Sequence, residues 1–266
     1  MSRAMTELNL ETPVPVGGKA RWATELSILL RIQIANVRDS WVWIVLMATM
    51  FPLTTILFMM FTQPNPSEET ISHIIAGNLI FGIIVMGMNG LGQDISWQKH
   101  QGHFTFYASL PISKINFVLA NLFRGLMNTL PSLIILWWLG QWIFGVQLHL
   151  SPMLPVVFLF SLSSVVGFGI LIGFWSPNHQ LTNMLCQALM VLVTFLSPVM
   201  VTMDRLPAVL QWTAYVFPST YAADAMRNIL FVGWTDGVLR DCAVMLLFTV
   251  GAVVVVQRLV TWRVKK

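Results

Sequence analysis

Residues 97–113, WQKHQGHFTFYASLPIS, place a lysine, two histidines and a proline turn between two long apolar segments. This interruption stands out because only 10% of the 266 residues are charged, whereas 56% are hydrophobic. A soluble domain has about 25% charged and about 45–50% apolar residues. Apolar runs of roughly 20 residues recur on both sides of the stretch, and each can cross a hydrocarbon core of about 30 Å as a helix. The sequence therefore predicts an all-α integral membrane protein.

The apolar runs on either side of this stretch predict six transmembrane helices. Their bounds are 41–62, 71–93, 116–144, 152–175, 180–203 and 238–260. Residues 41–260 are thus expected to form a six-span domain, preceded by a mobile tail at 1–19 and a separate segment at 20–38. A basic tail, 261–266, follows. The tail at 1–19 has no apolar region, so a cleavable signal peptide is not expected.

Residues 20–38 alternate apolar and charged positions at helical spacing. Trp22 shares the apolar side with leucines, while Arg21, Glu25 and Arg31 occupy the other side. Because Trp and Arg both suit the depth of lipid headgroups, the pattern favours an amphipathic helix lying in the membrane interface. The alternative is a polar segment that only connects the N-terminal tail to the first span.

Basic residues predict the orientation of the spans. With the N-terminus inside, eleven basic residues lie on the inner side and three on the outer side. The eleven are Arg3, Lys19, Arg21, Arg31, Arg38, Lys99, Lys114, Arg258, Arg263, Lys265 and Lys266, and the three are Arg205, Arg227 and Arg240. Cytoplasmic loops are enriched in Lys and Arg, so both termini and the stretch 97–113 are expected in the cytoplasm. These residues flank spans and form no basic stripe, so no nucleic-acid partner is expected.

The sequence contains no recognisable catalytic or metal-binding motif. A phosphate-binding P-loop requires Gly-Lys followed by Ser or Thr, and the Gly18-Lys19 pair is followed by Ala20. The chain is therefore not expected to hydrolyse ATP by itself or to be an enzyme. His100 and His103 are spaced for one face of a helix, but a metal site is not expected because no third ligand is near.

Within the stretch 97–113, the aromatic positions predict a short amphipathic helix. The residues that can share one face are Trp97, Phe104, Tyr107 and Leu110, with Lys99 and glutamines around the rest. The helix is expected to end at a turn containing Pro111, which leads into the third span. Such a helix is either a surface on which a partner pushes or an interfacial anchor for the loop.

Residues 204–237 are too polar to span a membrane and too apolar for a free loop. They predict one or two short helices that dip into the outer leaflet, with protein covering their backbone. Pro198, near the outer end of the fifth span, predicts a kink or a break. Asp224 and Arg227 either pair locally on one short helix or line an exit path, and the spacing favours local pairing.

Charged, glycine and cysteine residues inside the predicted spans allow further structural predictions. Arg124 lies about two turns into the third span, where it faces a polar interior or extends to the interface, and the second arrangement is favoured. Gly169 and Gly173 are spaced for close helix packing. Cys186 and Cys242 lie in apolar runs and are expected to be buried thiols without a disulfide.

Two segments resemble the membrane subunits of type-2 ATP-binding-cassette exporters, the group that includes drug, lipid-linked polysaccharide and lipo-oligosaccharide permeases. The inner segment, WQKHQGHFTFYASLPISKINFVLANLFRGL, resembles the family's loop before the third span. Gln98, His100 and His103 occupy the region where the family carries acidic residues. The outer segment, LSPVMVTMDRLPAVLQWTAYVFPSTYAADAMRNI, resembles the family's signature before the last span. Its matching positions are Pro198, Leu206, Pro207, Pro218, Thr220, Tyr221, Asp224, Ala225 and Arg227.

The resemblance implies that a separate nucleotide-binding subunit holds ATP and Mg²⁺, so that this chain binds no cofactor. That subunit would dock under the stretch 97–113. The residues expected to couple the two subunits are Trp97, Lys99, His100, His103, Phe104, Tyr107, Leu110 and Pro111. The interfacial helix would add Arg21, Trp22, Glu25 and Arg31 to the docking surface.

The resemblance also implies a second permease chain, identical to this one or a paralogue, paired mainly through the first and fifth spans. ATP binding would push on the docking helices and open the path outward. Arg124 is a possible charge on this path. The outer gate would comprise Pro198, Pro207, Pro218, Tyr221, Asp224 and Arg227.

The expected function is ATP-driven export of an amphipathic or lipid-like compound, either a drug or antibiotic or a glycolipid. The expected location is a bacterial plasma (inner) membrane, where lipid surrounds the chain. A secondary carrier or channel usually has ionisable residues at mid-membrane. Arg124 is the charge that the sequence places well inside a span, and no Asp or Glu is expected at depth, which weighs against this class. A non-transporting scaffold is disfavoured by the resemblance alone.

Overall fold

A computed structural model describes residues 18–62, 67–103, 113–145, 151–196 and 208–259. Within these ranges the regular structure is helical and no β-strand occurs, as expected of an all-α membrane protein. Five of the described helices are long and apolar enough to cross a membrane. Some predicted features lie outside the described residues, namely residues 1–17, Phe104, Tyr107, Leu110, Pro111, Pro198, Pro207 and residues 261–266.

The first helix, α1 (Gly18–Thr62), joins two elements that the sequence predicts separately. The helix continues without a break from residue 38 to residue 41 because no Pro or Gly interrupts the backbone hydrogen bonds there, and Pro52 is accommodated inside the helix. A helix of 45 residues is about 67 Å long at 1.5 Å per residue. This exceeds twice the hydrocarbon thickness of about 30 Å, so part of α1 must lie outside the hydrocarbon or along its surface.

The second span is one helical segment that is longer than the predicted 71–93. It begins as α2 (Glu68–Gly82), continues through a π-helical stretch (Ile83–Gly90) and ends as α3 (Leu91–His100). The Ser67 hydroxyl caps its start by accepting a hydrogen bond from a backbone N–H of the first turn. The span therefore includes residues that the sequence analysis assigned to the following loop.

The predicted amphipathic helix of the stretch 97–113 does not begin at Trp97. Trp97 belongs to the last turn of α3, and the chain then turns at Gln101 and Gly102. Gly102 has a φ of 78°, a left-handed conformation that ends helices and favours glycine. Trp97 therefore lies before this turn, and residues 104–110 of the predicted helix lie outside the described residues.

The third and fourth spans agree with their predicted positions. They are α4 (Lys114–Phe144), which contains Pro131, and α5 (Leu154–Trp175). The described part of the predicted fifth span is α6 (His179–Leu196). It is not among the five helices with the length and apolarity of a span. The described residues thus support five of the six predicted spans.

The outer segment forms two short helices, as predicted. These are α7 (Ala208–Ala214) and α8 (Pro218–Phe231), which starts at its proline. The last described helix, α9 (Asp236–Leu259), matches the predicted sixth span. Proline suits the first turn of α8 because the first backbone N–H groups of a helix have no partner within it.

The second span lies at the centre of the bundle. The π-helical stretch and α3 pack against α5 and α6, and α5 also packs against α8 and α9. Large aliphatic side chains fill this centre, and the fully buried ones include Ile80, Ile83, Ile84, Leu91 and Ile95. Cys186 and Cys242 are buried free thiols, as predicted.

The backbones of α3 and α5 approach each other at glycines. A Cβ added to Gly92 would lie 2.8 Å from the carbonyl oxygen of Gly169, and one added to Gly173 would lie 2.7 Å from that of Gly92. A Cβ on Gly169 would collide with the backbone of Met88 in the π-helical stretch. The predicted close packing at Gly169 and Gly173 is therefore confirmed, since only glycine permits this approach.

Substituting alanine for Gly169 is expected to lower the midpoint of thermal unfolding in detergent. The added methyl group would meet backbone, which cannot rotate away, and overpacking of this kind costs about 1–3 kcal/mol. Gly251→Ala is the matched control because a Cβ at that position has no atom within 4 Å. Equal midpoints for the two variants, measured by tryptophan fluorescence, would show that the glycine contact does not limit stability.

Candidate functional site

Lys99 joins the C-terminal ends of α3 and α5. Its ammonium group donates hydrogen bonds to the carbonyl oxygens of Phe174, at 2.8 Å, and Ser176, at 2.9 Å. Carbonyl groups at the end of a helix have no partner within it. A cation at this position also complements the negative end of the helix dipole. Lys99 therefore caps α5 and fixes the start of the stretch 97–113 to it.

His100 extends this contact to the turn after α5. Its Nδ1 lies 2.7 Å from the carbonyl oxygen of Ser96, and its Nε2 lies 2.8 Å from that of Pro177. Because carbonyl oxygens only accept, both contacts are hydrogen bonds at once when each ring nitrogen carries a proton. The Thr182 hydroxyl adds a bond of 2.7 Å to the Ser96 hydroxyl. The polar atoms of Lys99 and His100 thus bind the chain's own backbone, although both were predicted to couple to a partner.

The other end of the stretch 97–113 is held by α1. The Ser113 hydroxyl caps α4, and the Ser113 backbone N–H donates to Glu25 Oε2 at 3.3 Å. The Asn116 side chain donates to the same Glu25 oxygen and to the Trp22 carbonyl oxygen, each at 3.2 Å. A carboxylate is stabilised at a helix N-terminus. Glu25 and Trp22 therefore join the start of α1 to the start of the third span.

The remaining predicted coupling residues have different positions. Trp97 is exposed, with its ring centroid 5.3 Å from that of His179 in an edge-to-face contact. His103 and Arg31 are exposed. Arg21 lies in α1, and its side chain is outside the described residues. Among the described residues of the stretch 97–113, exposed side chains belong to Trp97, His100, Gln101 and His103.

Asp94 and Arg124 form an ion pair between the second and third spans. Arg124 Nη2 lies 2.5 Å from Asp94 Oδ2, and the two side chains are 15% and 39% exposed, respectively. The sequence favoured an Arg124 side chain that extends to the interface. This prediction is wrong, because Arg124 pairs with a carboxylate on α3. The argument that no acidic residue lies at depth is also wrong, since Asp94 lies inside the candidate span Thr70–His100.

A cavity of about 360 Å³ lies between α1, the second span and α6. Four of its lining residues are methionines, Met47, Met50, Met86 and Met190. Asn89 and Gln187 contribute amide groups to its lining. Methionine adapts its shape to different ligands, and small-molecule sites are mostly apolar with a few polar groups. The cavity is therefore suited to an amphipathic ligand.

The helix α8 carries the predicted local pair. Arg227 bonds to Asp224 one turn earlier, as predicted. Another nitrogen of the same guanidinium, Nη1, lies 2.6 Å from Nδ1 of His73 in α2. Since a guanidinium only donates, the His73 nitrogen must accept in this contact. Arg227 therefore connects α8 to the second span as well as to its own helix.

Further hydrogen bonds hold α8 against α7. The Thr220 hydroxyl donates to the carbonyl oxygen of Ala214 at 2.5 Å, and the Tyr221 hydroxyl donates to that of Tyr215 at 3.1 Å. Burial raises the pKa of the Asp224 carboxyl above its ordinary value, and the nearby arginines oppose this in part. Burial likewise raises the pKa of the Tyr221 hydroxyl. Pro218, Tyr221, Asp224 and Arg227 thus all lie on one short outer helix.

These features define a multi-pass helical membrane protein with a ligand-sized cavity and a polar corner at Glu25, Lys99 and His100. We call it the inner corner because the sequence predicts it on the cytoplasmic side. The sequence matches the model of the ABC-2 type transporter family over residues 24–231, which is most of the chain. The protein therefore belongs to this family, and it is a membrane permease component of an ATP-binding-cassette transporter. No curated protein matches the sequence.

Asp94, His73 and the amides of the cavity were missed by the sequence analysis. Asp94 lies directly after the predicted end of the second span, and a span extended to Trp97 would have included it. No comparable signal links His73 to Arg227, because they are 154 positions apart and on different helices. Gln187 gave no signal because an amide inside a span is informative only when its neighbours are known.

Removing Arg124 alone is expected to destabilise the protein more than replacing both members of its ion pair. Arg124→Leu leaves the Asp94 carboxylate unpaired, whereas Asp94→Leu with Arg124→Leu leaves no charge. The loss should be smaller than the about 3–5 kcal/mol of a fully buried pair, because the Asp94 side chain is 39% exposed.

Unfolding midpoints of the single and double variants measure this difference. Arg38→Leu is the control, since Arg38 and Asp39 form a contact in which both side chains are at least 75% exposed. That substitution should change stability by no more than about 1 kcal/mol. An Arg124→Leu variant as stable as the double variant would contradict the pairing.

Proposed function

We propose that this chain is the permease subunit of an ATP-driven exporter that moves an amphipathic or lipid-like compound outward. The cargo classes that fit are a hydrophobic drug or antibiotic and a glycolipid. A separate ATPase subunit, which holds ATP and Mg²⁺, docks against the stretch 97–113 and the start of α1. Two permease chains enclose the path in a bacterial plasma membrane, with both termini in the cytoplasm.

The cavity between α1, the second span and α6 is the observation that carries this proposal. Its volume of about 360 Å³ is within the range of small-molecule sites. Its methionines offer an adaptable apolar surface, and Asn89 and Gln187 offer hydrogen bonds at one edge. A compound with an apolar body and a polar end would satisfy both kinds of lining.

The contacts on both sides of the stretch 97–113 support it as the docking site. Lys99 and His100 join its first end to α5, and the Glu25 contacts join its other end to α1 and α4. A push on this stretch would therefore be transmitted to several helices at once. Trp97 and His103 provide the exposed surface for the ATPase.

The exposed apolar faces of α1 and α6 support pairing with a second chain. On α1 these faces include Trp43, Met50 and Phe58, and on α6 they include Met184 and Val191. The cavity lies between the two helices, so a second chain packed there would convert an open groove into an enclosed path. At the outer side, the Arg227 contacts would keep α8 against the second span until the path opens.

An ion-coupled carrier is less well supported. Ionisable groups that couple transport to an ion gradient must exchange their ligand during the cycle. Two carboxylates of the described spans, Asp94 and Asp241, lie inside the bundle. Arg240 lies 3.3 Å from Asp241, and Arg124 pairs with Asp94 at 2.5 Å. These pairs therefore support a structural role.

Lys99→Met is expected to uncouple the two subunits without separating them. The ATPase should still co-purify with the permease, because the Lys99 ammonium contacts α5 and not the partner. The stimulation of ATP hydrolysis by cargo should fall about tenfold, as expected for a loss of about 1.4 kcal/mol in the coupled state. Lys99→Arg, which keeps a cation at the end of α5, should restore part of it.

The comparison variant is Trp97→Ala, which removes exposed surface and should lower the amount of ATPase recovered. If Lys99→Met lost the ATPase while Trp97→Ala kept it, the docking contact would lie on Lys99. That result would contradict the roles proposed here, coupling for Lys99 and docking for Trp97. Recovery of no ATPase at all with the unmodified chain from its native membrane would contradict the proposed function itself.

Met86→Trp is expected to block the path by filling the cavity. Cargo-stimulated ATP hydrolysis and transport should fall about tenfold, the change for about 1.4 kcal/mol of lost cargo binding, while the ATPase remains bound. Ile134→Trp places the same side chain on an exposed face of α4, where Ile134 is 59% exposed, and should have little effect. Normal transport by Met86→Trp would exclude this cavity from the path.

A further inference from the structure

The inner half of α6 carries a row of exposed amides. Gln180, Asn183 and Gln187 follow one another at intervals of three and four residues, so they lie along one side of the helix. All three are exposed, and within the described residues no hydrogen bond involves the side chains of Asn183 or Gln187. These residues belong to the segment at 180–203 that the sequence predicts to span.

A matching pair of amides lies on the facing part of the second span. Gln93 donates a hydrogen bond of 2.6 Å to the Asn89 side-chain oxygen, and the Asn89 amide contacts the Met190 sulfur at 3.7 Å. The Trp97–His179 contact lies at the other end of the same helix pair. Because the two helices are antiparallel, Gln93 lies between these two contacts, opposite the part of α6 that carries Asn183 and Gln187.

We call this group of five residues the amide seam, comprising Asn89, Gln93, Gln180, Asn183 and Gln187. It begins at the cavity, since Asn89 and Gln187 line it. It ends near His179, beside the inner corner of the bundle. Amides that face hydrocarbon without a hydrogen-bond partner are unfavourable. The exposed side of the seam must therefore face water, a second chain or cargo.

Resting on the proposed function, we propose that the amide seam binds the polar end of the cargo and selects an uncharged head group rich in hydroxyl or amide groups. The apolar body of the same molecule occupies the methionine-lined cavity. Each amide offers both a donor and an acceptor, and hydroxyl and amide groups can pair with both.

The charges beside the seam explain why an ionic head group is disfavoured. Asp94 and Arg124 neutralise each other at 2.5 Å. Lys99 and His100 are bonded to backbone carbonyl oxygens. No charged side chain belongs to the seam itself, so an ionic head group would lose its hydration without gaining an opposite charge.

The continuity of the seam with the cavity favours cargo over a second permease chain. Asn89 and Gln187 lie at the polar edge of a cavity whose other walls include Met47, Met86 and Phe81. A single amphipathic molecule can fill the cavity and the seam together. A second chain packed directly on the seam would cover the polar edge of the cavity, so the head group of the cargo could not reach it.

The test measures binding to the full chain in phosphatidylcholine nanodiscs without the ATPase. The probes are tritium-labelled dodecyl glucoside, dodecyltrimethylammonium and dodecyl sulfate, which share one apolar chain and differ in the head group. Partition into empty nanodiscs is subtracted. The glucoside is expected to bind with a Kd about tenfold lower than either ionic probe, as for about 1.4 kcal/mol of head-group interaction.

Asn183→Leu with Gln187→Leu should reduce this preference to about twofold or less. Leu192→Met, at an exposed apolar position of the same helix, should retain it. Asn183→Asp with Gln187→Glu should shift the preference toward the trimethylammonium probe, and this variant keeps the seam polar if the leucine variant folds poorly. Equal binding of the three probes, or a glucoside preference retained in the leucine variant, would overturn the proposal.

Two further results separate the alternatives. In the first, Gln187→Cys cross-links two chains, and the leucine variant no longer pairs but keeps its head-group preference. The seam is then a contact between two chains, and the proposal is wrong. ATP-driven transport that shows no head-group preference would overturn this inference alone. A head-group preference without any ATP-driven transport would overturn the proposed function and leave the binding site in place.

Discussion

The close contact of two backbones at Gly92, Gly169 and Gly173 is the constraint on which the rest of the inner half depends. Because no side chain separates α3 from α5, their ends meet at one level, and Lys99 can reach the last carbonyl groups of α5. The same contact presses α5 against Met88 in the π-helical stretch. π-Helical turns are rare and frequently occur at functional sites, and here the stretch also provides cavity-lining residues.

The inner corner joins more helices than the chain order suggests. The stretch 97–113 follows α3 and precedes α4, but its ends are bonded to α5 and α1 as well. Lys114 adds a hydrogen bond of 2.9 Å to the carbonyl oxygen of Gln257 near the end of α9. A displacement at this corner would therefore reach helices on opposite sides of the bundle, which suits a site that receives mechanical input from another subunit.

Polar groups in the bundle fall into two kinds. In the first kind the groups satisfy each other, as Asp94 does with Arg124, and as Arg227 does with Asp224 and His73. Breaking such a group leaves a partly buried charge without its partner, so these contacts stabilise the arrangement of the helices. In the second kind, represented by Asn183 and Gln187, the side-chain amides are exposed and make no hydrogen bond within the described residues, and Gln187 lines the cavity. Groups of this second kind are available for a ligand.

The sequence by itself determined the membrane class, the positions of five helices that can span, the paired Asp224 and Arg227, and the close packing at Gly169 and Gly173. These follow from apolar length, from helical spacing and from residue size, all of which are local properties. The uninterrupted α1 and the extension of the second span to His100 were missed because helix boundaries depend on backbone hydrogen bonds that no single residue type marks. Only the tertiary structure decided that Arg124 meets Asp94, that Lys99 caps α5, and that amides from two helices adjoin one cavity. Those contacts join residues far apart in the chain, and the packing of the helices alone brings them together.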